Sequence, residues 1–110
     1  MIATRTLTLR TTSGNKQIPI RLFAPEQAAD GHWLCRYEID WPDGAHRHAA
    51  HGEDSAQALV IALQMIGSVI YASDYHKSGQ LMLDEPGRGY GFPVTNNLRD
   101  LLIGDDRTSF

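Results

Sequence analysis

A chain of 110 residues with 13 acidic and 10 basic side chains carries a formal net charge of −3, and that length supports one domain, residues 1–110, around a single modest core. Its 42% hydrophobic content is globular and excludes a disordered or fibrous chain. The lone Cys35 excludes an internal disulfide framework, and the mild acidity argues against polyanion binding, so no nucleic-acid partner is expected.

Met1 to Thr6 lacks the apolar run of a signal peptide, which predicts a reduced, cytoplasmic setting. Thr4 to Thr11 alternates, with Leu7 and Leu9 in one phase and Thr6, Thr8 and Arg10 in the other, the period of a half-buried strand. Ser13-Gly14-Asn15 is a turn. Lys16 to Phe23 alternates again with Ile18, Ile20 and Leu22 inward, and Pro19, which cannot donate to a ladder, places that strand at an edge or a bulge. Ala24 to Gly31 reads as a loop. A third strand sets Trp33, Cys35, Tyr37 and Ile39 on one face, and Trp41-Pro42-Asp43-Gly44 turns it into a short fourth strand, Ala45 to Ala50.

Beyond Gly52 the period changes. Asp54 or Ser55 suits an N-cap, and a helix is expected to about Ser78, with Gly79 beyond it. Leu59, Ala62, Leu63, Ile66, Val69 and Ile70 form its apolar stripe. The apolar stretch Ala58 to Ala72 falls short of the ~20 residues of a membrane span and contains Gln64 and Ser68, so a core helix and no membrane are expected. Gln80 to Leu83 is a possible last strand, Pro86 to Pro93 a glycine-rich loop. Thr95 caps a short helix in which Leu98, Leu101 and Leu102 share a face and which Gly104 ends, leaving a loose tail. The expected fold is α+β: an antiparallel sheet of about four strands packed against one long helix, plus a short C-terminal helix.

No motif fixes a chemistry. His46 and His48 project from one strand face, as two metal ligands would, with His51 close by. The plainer reading is a polar edge strand. Gly87-Arg88-Gly89-Tyr90-Gly91 fails as a dinucleotide fingerprint, because Phe92 stands where the third glycine belongs and Pro93 blocks the helix. Its glycines read as turn formers, with Arg88 and Tyr90 as recognition candidates. Ser73 and His76 lie one helical turn apart, close enough for a hydroxyl–imidazole contact, but no orienting carboxylate is evident. The helix carries more apolar arc than a small sheet covers. Ile61, Met65 and Ala72 need either the C-terminal leucines or a second protomer, and Gly67 and Ser68 permit close approach of another backbone.

Ala62-Leu63-Gln64-Met65-Ile66-Gly67, Tyr71-Ala72-Ser73, Gly89-Tyr90-Gly91-Phe92-Pro93-Val94 and Arg99-Asp100-Leu101-Leu102 resemble a family of small bacterial proteins of unknown function, over nearly the whole chain. The resemblance implies a bacterial source and a stand-alone domain, and carries no catalytic residue. A second likeness, of Gly52 to Leu59, is to the strand–helix junction of HicB-like antitoxins, without their DNA-binding extension. The expected function is a non-catalytic interaction or assembly module, a homodimer or the partner of another protein, without a cofactor, with an immunity- or antitoxin-like role as one specific form of it. The alternative is a metal-binding protein centred on His46, His48 and His51.

Overall fold

The alternating segments become long strands. A computed structural model describes residues 1–110, with β1 at Ala3–Thr11, β2 at Gly14–Leu22, β3 at Glu26–Gln27, β4 at Trp33–Trp41 and β5 at Gly44–Gly52. Then follow α1 at Ser55–Ala72, α2 at Asp74–Lys77, β6 at Leu81–Met82, a 3₁₀ helix at Asn96–Leu101 and α3 at Gly104–Ser109. The class is α+β, with six strands rather than four. β3 is a two-residue ladder within the segment expected to be a loop, too short for a periodic signal, while β6 falls inside Gln80 to Leu83, the segment read as a last short strand.

Every pairing is antiparallel. Hairpins β1–β2 and β4–β5 lie side by side through Ile20–Leu22 and Tyr37–Ile39, and β6 joins β1 at Thr8 and Leu9. Pro19 thus sits in an internal strand, paired with Thr6, but the ladder to β4 begins only at the next residue. The strand is an edge up to the proline, which lacks the donor that a neighbour would need.

α1 returns over β5 and β4 after Asp54, whose carboxylate caps it by accepting from the Gln57 N–H at 2.7 Å. It ends at Ala72, not near Ser78, because Ser73 turns extended (φ −72°, ψ 150°) and its hydroxyl accepts the His76 N–H, starting α2. Serine competes with the helix for backbone groups in this way. Ala58, Ala62, Ile66 and Ile70 form the stripe buried on the sheet.

The β1–β2 half of that face has another cover. Tyr90, Phe92, Val94 and Leu102 are buried in the same core as Leu7, Leu9, Ile18, Ile20 and Leu22. Phe92 and Pro93 share an apolar cavity of about 270 Å³ with Ile20, Leu22, Leu63 and Ile66. The last residues are therefore not a loose tail. Gly104 opens a helix rather than closing one, and Asp106 within it is buried. Nor do the three leucines share a buried face: Leu102 is buried while Leu101 is 46% exposed, since a 3₁₀ turn stacks Leu98 with Leu101 and turns Leu102 away.

Candidate functional site

The β4–β5 register decides what the histidines of β5 can do. His46 stands opposite Ile39 and His48 opposite Tyr37, on the face toward α1; His51 stands opposite Leu34, on the other face. The proposed triad is thus split by the pleat of its own strand, since residues an odd number apart point to opposite sides. No group of three His, Cys, Asp or Glu side chains is arranged to share a metal ion. On the inner side the Tyr37 hydroxyl and His46 Nε2 are hydrogen-bonded at 2.9 Å, and the His46 and His48 rings meet edge-on at 6.2 Å. Burial, and then the neighbouring His48, push the His46 pKa below the usual imidazole value. On the outer side His51 Nδ1 and His32 Nε2 are 3.1 Å apart. Asp30 holds the other ring nitrogen of His32 and accepts the His32 backbone N–H at 3.1 Å, bonds that keep its carboxyl below the usual range.

β5 is also the free edge of the sheet. Its inner side pairs with β4 at all nine residues, and no strand lies on its outer side. It has no proline, lysine or bulge, and its one permanent charge, Arg47, is drawn back to Glu38 at 3.2 Å. Natural edges usually carry such blocking features. At the opposite end β1 is blunted by β6 and by Gln80, whose carbonyl accepts the Arg10 N–H.

The helix candidates divide between the two flanks of α1. Gly67 is buried, and a Cβ there would overlap the Pro93 carbonyl, so the close approach expected of a partner is made by the chain itself. Ser68 donates to the Gln64 carbonyl at 2.8 Å and accepts the Thr95 N–H at 3.4 Å. Ile61 and Met65 remain half-buried on the flank away from Gly67 and Tyr71, hence on the β5 side, and Ala72 is exposed. Tyr90, a recognition candidate in sequence, is 2% exposed and belongs to the core. Arg88 is exposed but held between Glu85 at 3.2 Å and Asp105 at 3.1 Å.

Two residues that carry much of this arrangement have no sequence signal. Asp106 accepts the Tyr71 hydroxyl and the N–H groups of Tyr90 and Gly91, fixing the glycine-rich loop. Arg5 donates to the carbonyls of Tyr90 and Gly91 and lies over the Phe92 ring at 5.0 Å. His76 completes the cluster. Its imidazole bonds the Tyr90 hydroxyl at 2.5 Å and packs edge-on against Tyr71, while the Ser73 hydroxyl caps backbone, so the serine–histidine contact does not form. Burial lowers the His76 pKa and raises that of Tyr90 to about 12, with the Asp106 charge adding to the latter. Cys35 is buried and donates to the Phe23 carbonyl at 3.3 Å, and burial raises its pKa.

A family model described as a domain of unknown function, DUF6968, matches residues 3–94. The chain belongs to that family. The DUF6968 match covers both hairpins, α1 and the loop to Val94, while Asp106 lies beyond it. Neither a curated protein nor a solved structure matches the chain, and the likeness to HicB antitoxins gains no support.

Proposed function

We propose that this DUF6968 protein is a non-catalytic assembly module that pairs with a second copy of itself through β5. The observation that carries this reading is the nine-residue outer edge of β5, unpaired and unblocked. A strand edge offers alternating N–H and C=O groups that an antiparallel strand satisfies, and a two-fold axis lets one copy supply what the other needs. The edge suits a like partner. Small Ala45 and Ala49, on the outer face of the strand, leave the edge uncrowded, and burial and the neighbouring His48 hold the His46 pKa below the usual imidazole value. Ile61 and Met65 flank the edge and supply apolar area that the first copy leaves half-buried. The polar clusters elsewhere hold structure: Ser73 caps α2, Asp106 binds backbone, and Cys35 is buried.

Light scattering across a dilution series tests the proposal. The expected result is twice the chain mass, reverting to the single mass when Ala45→Lys/Ala49→Lys puts lysines where natural edges carry them. A single-chain mass at every concentration overturns it, as does a dimer that the lysines leave intact.

A further inference from the structure

We infer that His32 and His51 form a two-imidazole site for a first-row divalent transition metal, with Asp30 as its outer-sphere support. It shares β5 with the dimer proposal, since His51 lies on the strand proposed to pair, and it differs from the cluster expected from the sequence because it joins β5 to the turn before β4 rather than using adjacent β5 positions.

Three observations carry it. First, His32 Nε2 and His51 Nδ1 face each other at 3.1 Å. Two nitrogens each ~2.05 Å from a tetrahedral ion stand about 3.3 Å apart, so a metal needs only a small opening of this pair. Second, Asp30 engages His32 Nδ1, the ring nitrogen that coordination leaves over, and anchors the same residue through its backbone N–H. A carboxylate on the remote N–H is the usual second partner of a metal-bound histidine, fixing tautomer and orientation. Third, the pair is open to solvent, with the His32 side chain 40% and the Asp30 side chain 69% exposed, so an ion can enter without unfolding. The inner pair lacks this arrangement: His46 Nε2 is already bonded to the buried Tyr37 hydroxyl. With two protein ligands, the remaining positions are left to water or to a small anionic ligand.

The proton balance gives a specific signature. With His32 donating from Nδ1 to Asp30, its Nε2 carries the lone pair, and His51 donates to it from Nδ1. Coordination through both facing nitrogens requires His51 to carry its proton on Nε2 instead, while His32 keeps Nδ1–H. The exchange moves one proton between the two nitrogens of His51 and breaks only its bond to His32. Imidazole ligands at open positions favour Cu²⁺ over Zn²⁺.

The test uses the full chain without a histidine tag, titrated with Zn²⁺ and then Cu²⁺ by calorimetry, and with Zn²⁺ by long-range ¹⁵N imidazole NMR. The expected results are one saturable site, a shift of the His51 proton from Nδ1 to Nε2, and unmoved tautomers at His46 and His48. Affinity should fall at least tenfold in His51→Ala and by about 10–100-fold in Asp30→Asn, which keeps both ligands. His46→Ala/His48→Ala should bind as the parent does. The inference is overturned by absence of saturable binding, by unchanged affinity in His51→Ala, or by a tautomer change confined to His46 and His48. Running the titration at dilutions on both sides of any dimer transition separates its outcome from that of the assembly proposal.

Discussion

The Tyr71 hydroxyl donates to Asp106 at 2.5 Å, joining α1 to the last helix of the chain. Tyr71 also accepts the Ile103 N–H at 3.3 Å, and Asp106 holds the N–H groups of Tyr90 and Gly91 at 2.7 Å each. One carboxylate therefore fastens α1, which covers β4 and β5, to the Tyr90–Gly91 loop and the last helix on the β1–β2 side. No buried side-chain nitrogen or oxygen is left without a partner.

Replacing Asp106 by alanine orphans those buried donors together. The expected loss is about 3–5 kcal/mol, the range for breaking a buried charged network. Asp106→Asn keeps two acceptor lone pairs and should lose less. Urea unfolding of the two variants checks the order, and equal, near-parental midpoints would count against the strap.

Gly67 offers a test in which the usual sign reverses. Glycine to alanine inside a helix ordinarily stabilises by roughly 1 kcal/mol. Here the new methyl overlaps the Pro93 carbonyl and crowds the Phe92 Cβ. Gly67→Ala should therefore destabilise by about 1–3 kcal/mol, as overpacking does. A gain in urea midpoint would show that Pro93 moves aside freely.

Arg5 shows why arginine matters at one strand position. It reaches two carbonyls and covers the Phe92 face. Lysine keeps the charge but loses the planar fork and the stacking. Arg5→Lys should lower stability by about 1–2 kcal/mol. A thermal midpoint equal to the parent's would show that the contacts at Gly91 do no holding.

How legible this molecule is from its sequence depends on the length scale of each signal. Leu7/Leu9, Ile18/Ile20/Leu22 and Cys35/Tyr37/Ile39 alternate over enough residues to announce both hairpins, and Asp54 announces α1. β3 is a two-residue ladder chosen by its neighbour, so no periodicity marks it, whereas β6 lies within Gln80 to Leu83, already readable as a short strand. Asp106 lies 35 residues from Tyr71, and nothing local distinguishes it from the adjacent Asp105, which is exposed and paired with Arg88. The histidines of β5 were visible as a group, but their faces depend on the pleat, and the partner of His51 comes from another turn.

The pH dependence of stability follows from buried titrating groups. His76 and His46 are both depressed in the folded protein by burial, and His46 also by His48. The unfolded chain therefore takes up protons first, near pH ~6.5, so stability is full above that value and falls as pH drops toward the folded pKa values, then levels off. The tyrosines act in the opposite direction. Tyr90, raised to about 12, and Tyr71, raised further by burial and its bond to Asp106, stay protonated while unfolded tyrosines ionise near pH ~10. Stability should then fall again above that pH. Urea midpoints at pH 5, 6, 7, 9 and 10.5 should trace a plateau with two shoulders, at about the unperturbed histidine and tyrosine values. His76→Gln should flatten the acid shoulder and leave the alkaline one, while Tyr90→Phe should reduce the alkaline shoulder. An acid shoulder unchanged in both His76→Gln and His46→Gln would mean that neither imidazole is held neutral by its surroundings.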